Sequence, residues 1–494
     1  MTLADFTTLG SLDVLLIDGA IRPASGGRTF ETLNPATEDV LGVAADADAS
    51  DMDAAIVAAR RAFDTTSWST DVAFRARCLR QLRDALVAHG DEMRALTTAE
   101  AGAPVFLTSG AQYDSPVDDL GWMADLAERY DGWTEQLGEA SPMGMKSNRW
   151  IEREAAGVVG AITPWNFPHQ INFAKIGPAL AAGCTVVLKA APDTPWCASS
   201  VARIVAEETD IPPGVLNIVT SSDHSLGSQL AGDPRVDVVS FTGSTATGSS
   251  VMASASKNLT RVFLELGGKS AFIILDDADI GGAASMAGFT ACTHAGQGCA
   301  ITTRLLVPQN RYDEAVEAAA ATMNALGAGD PTVEGVVCGP LISARQRDRV
   351  EGYLDLARSE GAEFVAGGGR PAAFDRGFFV EPTLITGLDN SARVAREEIF
   401  GPVLVVLPYD TDDDAVRIAN DSPFGLSGAV HSGDRERALG VARRIRTGTM
   451  SINGGVWYSV DVPFGGYKHS GIGREMGRAG FEEYLEIKSY AEGI

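Results

Sequence analysis

Basic residues are scarce in this sequence. It holds 40 Lys and Arg against 65 Asp and Glu, which gives a formal net charge of −25. Nucleic acids and anionic membranes attract proteins through basic surfaces, so this balance argues against both as partners. It leaves room for an anionic cofactor, because a helix N-terminus binds phosphate locally whatever the net charge.

Cysteines and long apolar runs are also few. The six cysteines are scattered, with no Cys-x-x-Cys pair and no Cys/His ligand spacing, so neither a metal site nor a disulfide framework is indicated. No apolar run reaches membrane-spanning length. Met1 to Gly10 lacks the basic start and apolar core of a secretory signal. With free thiols, these absences predict a cytoplasmic protein.

The order of strand-like and helix-like segments predicts an α/β fold with about three lobes in 494 residues. Helical patterns cover 51–63, with Ser50 as its cap, and then 73–89, 91–101 and 118–137. From residue 157, short apolar runs at 158–162, 185–189, 215–219, 236–241 and 261–265 alternate with helical segments. This alternation predicts a Rossmann-like parallel sheet that binds ligands at the carboxyl ends of its strands.

Three short stretches carry residues suited to chemistry. Cys299 stands between Gly298 and Ala300, so its thiol is open to a ligand and, once deprotonated, is a strong nucleophile. Glu265 leaves an apolar run and enters a Gly-Gly turn, which places a carboxylate at the end of a strand. Asn166 is flanked closely by two prolines, which makes its amide a fixed hydrogen-bond donor.

Each stretch alone is also typical of an ordinary core residue, turn or cap, but together they resemble the aldehyde dehydrogenase superfamily. The resemblance runs from about Leu33 to about Lys488, and Cys299 follows Glu265 by 34 positions, as in the family's catalytic pair. It implies a Rossmann-like dinucleotide-binding domain at 1–140 and 157–265 and a second α/β catalytic domain at 266–445. It also implies a small β oligomerisation element at 141–156 and 478–494, joined by a linking segment at 446–477 that closes the substrate tunnel.

The resemblance implies a nicotinamide cofactor. The stretch from Phe241 to Gly248 is neither a Gly-x-Gly-x-x-Gly fingerprint nor a Walker loop, but it resembles the family's dinucleotide loop, with Ser244 as a donor at a helix N-terminus. Pro192 stands where many NAD-using relatives have a ribose-binding glutamate, so NADP stays open although we favour NAD. The implied cofactor residues are Ile162, Thr163, Trp165, Lys189, Gly243, Ser244, Gly248, Glu265, Leu266, Glu398 and Phe400.

The family's chemistry assigns a role to each candidate residue. Cys299 attacks the aldehyde to give a thiohemiacetal, whose oxyanion is held by Asn166 and the Cys299 N–H. Hydride transfer then leaves a thioester, and Glu265 activates the water that releases the acid; relatives that acylate coenzyme A lack this glutamate. Lys175 and Glu475 match a proposed proton relay, or else form a structural ion pair. His294, five residues from Cys299, leaves a Cys–His pair as an alternative.

The resemblance also implies a substrate tunnel with no Arg or Lys to grip a carboxylate, so we expect a bulky uncharged aldehyde, aromatic or aliphatic. Its residues are Trp122, Phe167, Gln170, Ala174, Gly298, Ala300, Tyr458 and Phe464. Alternatives are a semialdehyde dehydrogenase, a cofactor-independent thiol esterase or amidase, and a protein that kept the fold without activity. The alternating segment 482–490 predicts an exposed edge strand and self-association as a homodimer or homotetramer.

Overall fold

The computed structural model describes residues 10–494, so the predicted lack of a signal sequence at Met1 to Gly10 falls almost entirely outside the described residues. The strands are β1 (Leu15–Ile17), β2 (Ala20–Arg22), β3 (Thr29–Leu33), β4 (Val40–Ala45), β5 (Thr134–Ala140), β6 (Ser147–Ala155), β7 (Val158–Ile162), β8 (Thr185–Lys189), β9 (Leu216–Val219), β10 (Val238–Thr242), β11 (Arg261–Glu265), β12 (Ser270–Ile274), β13 (Thr302–Pro308), β14 (Glu363–Ala366), β15 (Thr383–Thr386), β16 (Val403–Tyr409), β17 (Gly428–His431), β18 (Ser451–Ile452), β19 (Gly471–Ile472) and β20 (Leu485–Gly493).

The helices surround these strands. They are α1 (Ala49–Thr65), α2 (Val72–Ala88), α3 (Gly90–Ala101), α4 (Val105–Thr108), α5 (Asp114–Arg129), α6 (Pro168–Ala182), α7 (Pro195–Glu208), α8 (Ser225–Ala231), α9 (Thr245–Ala255), α10 (Ile280–Cys292), α11 (Tyr312–Leu326), α12 (Ala344–Ser359), α13 (Arg393–Arg396), α14 (Asp412–Asn420), α15 (Arg435–Ala442) and α16 (Gly477–Glu482). Within residues 10–494, none of them combines the length and apolarity that a bilayer crossing requires.

The first sheet has eight strands in the order β19-β11-β10-β7-β8-β9-β1-β2. Its five central strands are parallel, and every residue of β7, β8 and β10 is buried, as expected of a sheet covered by helices on both faces. The chain passes from β7 to β8 on one side and returns to β10 on the other. This reversal opens a crevice at the carboxyl ends of the strands, the usual ligand site of such folds. The predicted α/β class with a Rossmann-like lobe is confirmed.

The second sheet, β14-β15-β16-β13-β12-β17-β18, is parallel except for the β14–β15 pair. Its strands and helices α10 and α11 enclose a second apolar core, separate from that of the first lobe. β11 ends at Glu265, and the chain then crosses through Gly267 and Gly268 into β12. The carboxyl ends of the first sheet therefore stand beside the loop between α10 and β13, which carries Cys299. The domain boundaries themselves stay a prediction.

The prediction of one helix over 118–137 was wrong. Helix α5 ends at Arg129, and Leu137 belongs to β5, which pairs with β6 in a three-stranded antiparallel sheet ordered β20-β6-β5. Local periodicity missed the strand because its hydrogen-bond partners lie in β6, outside the segment itself. Two smaller outcomes concern the ends of elements. Asp48, not Ser50, caps α1. The edge strand predicted at 482–490 is present as β20, but it begins three residues later, because Glu482 belongs to α16.

Candidate active site

A cleft of about 540 Å³ separates the two lobes at the carboxyl ends of the first sheet. The first lobe contributes Asn166 and Glu265 to its lining, and the second contributes Cys299, Glu398 and Phe400. The three stretches singled out from the sequence therefore face one space, although Glu265 follows Asn166 by 99 positions and Cys299 follows Glu265 by 34.

Two glycines allow the Glu265 and Cys299 segments to meet. A Cβ on Gly268 would lie 2.8 Å from the Cys299 main-chain oxygen, and one on Gly296 would lie 2.1 Å from the Gly401 oxygen. Gly296 also has φ of 70°, which disfavours a side chain. Only glycine permits these backbone approaches, so Gly268 in the turn after Glu265 and Gly296, three residues before Cys299, set the geometry of the cleft.

The Cys299 thiol is protonated at neutral pH in this state. Burial, with the negative charges of Glu265, Glu398 and Glu475, raises its pKa to about 12. Cys299 is half-buried and lines the cleft, but a protonated thiol near carboxylates is a poor nucleophile until its proton is removed. Attack on a carbonyl from this arrangement therefore needs a base, or a change in the local charge.

The Asn166 side chain is tied to the Cys299 loop. Its Nδ2 donates to the Gln297 main-chain oxygen at 2.8 Å, which leaves the second N–H of the amide for another acceptor. The main-chain oxygen of Asn166 accepts from Gln112 Nε2 at 2.9 Å and from His294 Nε2 at 2.8 Å. The amide is thus fixed at both its side chain and its backbone.

The bond to Asn166 also gives His294 its role in the structure. The imidazole is fully buried, burial lowers its pKa to about 4, and its proton stands on Nε2 because a carbonyl only accepts. Its Nδ1 has no hydrogen-bond partner among the residues the structure describes. A backbone φ of 50° at His294 and 52° at Ala295 turns this segment. The hydrogen bond of the ring goes to Asn166, so a Cys–His pair gains no support.

Glu265 faces a buried ion pair. Both of its carboxyl oxygens are buried and find no hydrogen-bond partner within residues 10–494. Burial raises the pKa of Glu265 well above its usual value, Glu475 adds to that rise, and Lys175 opposes it. Lys175 Nζ bonds Ser240 Oγ at 2.8 Å and forms an ion pair with Glu475. The predicted Lys175–Glu475 pairing is present, and its choice between relay and support stays a prediction.

A second cavity of about 210 Å³ continues the cleft over the ends of β7 and β8. Some of the predicted cofactor residues line only this second cavity, namely Ile162, Thr163 and Lys189. Others line both cavities, namely Trp165, Gly243 and Ser244. Ser244 caps α9, accepting from the Thr247 N–H at 3.2 Å. The exposed start of an eleven-residue helix beside an elongated cleft suits the diphosphate of a dinucleotide.

Unpaired polar atoms in the cleft also fit a bound cofactor. The hydroxyls of Thr163 and Thr242 are buried, with no hydrogen-bond partner in the described part of the chain. Glu398 Oε1 accepts from the Gly268 N–H at 2.9 Å, and Phe400 stands edge-on to Trp165 at 5.5 Å. Ten of the eleven predicted cofactor residues line one cavity or the other. Gly248 lines neither and packs against Leu266, which lines the larger cavity.

The predicted substrate residues divide into two groups. Gln170, Ala174 and Tyr458 line one small cavity together. The other five do not line that cavity: Phe167 stands edge-on to His294 at 5.3 Å, Phe464 stacks on Trp457 at 5.6 Å, Trp122 packs on the first core, and Gly298 and Ala300 flank Cys299.

Sequence reasoning missed several cleft residues. Asp119 lines the small cavity beside Tyr458, and its spacing of three residues from Trp122 on α5 was the available signal. Arg345, Gln346 and Arg349 of α12 line the large cavity. Gln346 Nε2 donates to the Phe400 main-chain oxygen at 2.7 Å, which holds that loop in place. Nothing in the sequence of this polar helix indicated that its start faces a cleft.

Comparison with known proteins agrees with this geometry. The family model described as aldehyde dehydrogenase family matches residues 21–490. A 3-succinoylsemialdehyde-pyridine dehydrogenase of a Pseudomonas species is 43% identical, over 96% of this chain and 97% of its own. Geranial dehydrogenase of Castellaniella defragrans is 42% identical, over 95% and 96%.

Solved structures superpose over nearly the whole chain. Betaine aldehyde dehydrogenase of Staphylococcus aureus, in complex with NAD+, has a TM-score of 0.95 at 36% identity and covers 99% of this chain and 96% of its own. A mutant of aldehyde dehydrogenase C of Pseudomonas syringae, in complex with NAD+ and octanal, has a TM-score of 0.92 at 39% identity and covers 97% and 96%. This chain belongs to the aldehyde dehydrogenase family.

Proposed function

We propose that this enzyme oxidises a bulky, uncharged aldehyde to the carboxylic acid, with NAD as hydride acceptor and Cys299 as nucleophile. The observation that carries the proposal is the convergence of Cys299, Asn166 and Glu265 on one cleft that continues into a second cavity suited to a dinucleotide. Aldehyde, water and NAD+ give acid, NADH and a proton, so the reaction balances without a further reactant.

Cys299 begins the reaction by adding its sulfur to the aldehyde carbon while the thiol proton passes to water in the cleft, which accounts for the proton released in the overall reaction. The free N–H of Asn166 Nδ2 and the Cys299 main-chain N–H then stabilise the oxyanion of the thiohemiacetal. A single oxyanion donor contributes about 3 kcal/mol in other enzymes that stabilise such an intermediate. The bond from Asn166 to Gln297 keeps the amide from rotating, so its second N–H points at one place.

The residues that line both cavities would hold NAD across them. Ser244 and the start of α9 would bind the diphosphate, Lys189 would bind the adenosine ribose, and Glu398 would bind the nicotinamide ribose, with Phe400 available to pack on the nicotinamide. When bound, the nicotinamide supplies the acceptor for the hydride that leaves the thiohemiacetal carbon. The protein's contribution is to hold that carbon, on Cys299, at the end of the cleft.

Glu265 completes the cycle by taking a proton from the water that attacks the thioester. A carboxylate of raised pKa is a stronger base than one in water, which suits this task. The proton then reaches the Lys175–Glu475 pair, which faces Glu265 from the first lobe. Cys299 leaves as the product acid forms, and its sulfur takes up a proton, which restores the thiol.

The tunnel supports an uncharged substrate. Its eight predicted residues carry no charge, and Asp119 adds a carboxylate that repels an anionic tail. Geranial and octanal, named with two relatives, are long uncharged aldehydes. We propose that this chain accepts aldehydes of the same class.

The experiment compares aldehydes at equal concentration with NAD and follows NADH by absorbance and the acid by mass spectrometry. Octanal and benzaldehyde are expected to turn over, with one acid formed per NADH. Faster turnover of succinate semialdehyde than of both overturns the substrate class. Acid formation from an ester without any NADH from an aldehyde would favour the thiol hydrolase instead.

We also propose self-association as a homodimer or homotetramer through the sheet β20-β6-β5. Both outer strands leave an edge free to pair, and Leu137, Met143 and Ile487 expose apolar side chains there. Light scattering on the full chain tests this: a mass of two or four chains is expected, and a monomer at micromolar concentration contradicts it. The cytoplasmic location stays a prediction.

A further inference from the structure

The second cavity, of about 210 Å³, is lined by residues of both lobes. Lys189, Asp193 and His224 come from the first lobe, and Arg345, at the start of α12, comes from the second. Arg345 lines the larger cavity as well, so its side chain spans the junction between them. The guanidinium-bearing side chain therefore lies where the two cavities meet.

Basic groups outnumber carboxylates in this cavity. Arg345 lies 3.6 Å from the Asp193 carboxylate. Burial raises the pKa of Asp193, and the neighbouring Arg345, His224 and Lys189 lower it. Burial lowers the pKa of Lys189 to about 8, which keeps it largely charged at neutral pH, and its Nζ donates to the Ala190 oxygen at 3.3 Å. Asp223 does not line the cavity, but its negative charge opposes the lowering of the Lys189 pKa. Its carboxylate accepts a hydrogen bond from the Ser225 N–H. Pro192 adds no charge.

We propose that this cavity accepts the 2′-phosphate of NADP as well as the free ribose of NAD, and that Arg345 is the cation that determines how well it does so. The inference rests on the proposed function, since it assigns the adenosine end of the dinucleotide to this cavity.

Arg345 is free to change partners. Its side chain is 73% exposed, and its contact with Asp193 is a single long ion pair of a kind that contributes little to stability. A phosphate carries more charge and accepts two parallel N–H bonds from a guanidinium, so it binds more strongly than one carboxylate oxygen at 3.6 Å. Asp193 is then left facing Lys189, whose charge still opposes that of the carboxylate.

The test measures binding of adenosine fragments to the full-length enzyme by calorimetry. The probes are 2′,5′-ADP and 5′-AMP, which differ only in the 2′-phosphate. We expect 2′,5′-ADP to bind the wild type more tightly than 5′-AMP. In Arg345→Gln this advantage should fall about tenfold, the cost of one hydrogen bond to a charged group. Arg345→Lys should lose less, and Asp193→Asn should increase the advantage by removing a competing carboxylate.

Kinetics provide a second readout. The ratio of kcat/KM for NADP to that for NAD should fall about tenfold in Arg345→Gln, since the ratio cancels any effect on shared parts of the cofactor. Arg358→Gln, an exposed arginine at the far end of α12, is the matched control and should leave the ratio unchanged.

Equal losses for both probes would assign Arg345 to the shared part of the cofactor and overturn the proposal, as would tighter binding of 5′-AMP. Failure of the proposed function is distinguishable, because it abolishes aldehyde oxidation with both cofactors while fragment binding is measured without an aldehyde.

Discussion

Asn166 Nδ2 donates to the main-chain oxygen of Gln297 at 2.8 Å, which ties an amide of the first lobe to the loop that carries Cys299 in the second. The bond uses one of the two N–H groups of the amide, and the other remains for an oxyanion. The same contact therefore fixes the direction of the free N–H and the position of the nucleophile's loop.

The first prediction concerns this donor. Asn166→Ala should lower kcat for aldehyde oxidation by about 10²–10³-fold, as the loss of an oxyanion donor does in other enzymes. Asn166→Asp keeps the shape and removes the N–H groups, so it should lose as much. Steady-state kinetics and a thermal unfolding curve test both variants. A kcat within threefold of wild type in the folded Asp variant would exclude Asn166 as a donor.

The second prediction concerns His294, which we regard as a positioning residue. His294→Ala removes the Nε2–H bond to the Asn166 oxygen and leaves a cavity, at a cost of about 1–3 kcal/mol in the free energy of unfolding. We expect kcat to fall more than the KM for NAD rises. His294→Asn should retain more activity, because asparagine tolerates the φ of 50° at this position. Equal kcat in Ala variant and wild type would contradict this role.

The third prediction separates the two halves of the reaction. Glu265→Gln should still form NADH once per active site and then stall as the acyl-enzyme, because the base that activates water is gone. Rapid-quench kinetics should show a burst equal to the enzyme concentration, and intact mass spectrometry should show the acyl adduct on Cys299. Continuous turnover at the wild-type rate would remove Glu265 from the mechanism.

The fourth prediction concerns pH. Burial, and next Glu475, raise the pKa of Glu265, and the base works only when ionised, so deacylation should increase as pH rises through that pKa. Glu475→Gln removes a negative neighbour and leaves the Lys175 cation, which lowers the Glu265 pKa. The ascending limb of the kcat profile should therefore move to lower pH in this variant. A limb that moves to higher pH, or does not move, contradicts the coupling.

The parts of the site that sequence could predict are those marked by local chemistry. Glycines and prolines around Cys299, Glu265 and Asn166 indicate unusual backbone conformations. Continuous apolar runs predict the buried strands β7, β8 and β10. These signals lie within a few residues of what they predict.

The parts that sequence missed depend on partners far along the chain. β5 is a strand because β6 supplies its hydrogen bonds. His294 is close to Cys299 in sequence, but a left-handed backbone directs its hydrogen bond to Asn166. Asp119 lines one cavity with Tyr458, more than three hundred residues later, only once α5 and the segment 446–477 have packed together. Local patterns carry no information on such contacts.

The last prediction concerns substrate charge and Asp119. Burial, with Asp118 and Asp461 nearby, raises the pKa of Asp119 to about 7, so it is mostly a carboxylate at about pH 8 and mostly neutral at about pH 6. A carboxylate tail some 7–8 Å away would meet about 2 kcal/mol of repulsion at an effective dielectric of ~20.

Asp119→Asn should therefore raise kcat/KM for succinate semialdehyde relative to octanal by about tenfold or more at about pH 8, and by much less at about pH 6. Asp118→Asn is the matched control: it changes the same charge on the adjacent, exposed residue, which does not line the cavity, so its effect should be small. Equal effects of the two variants would assign the selectivity to the general field of the acidic surface and not to a carboxylate in the tunnel.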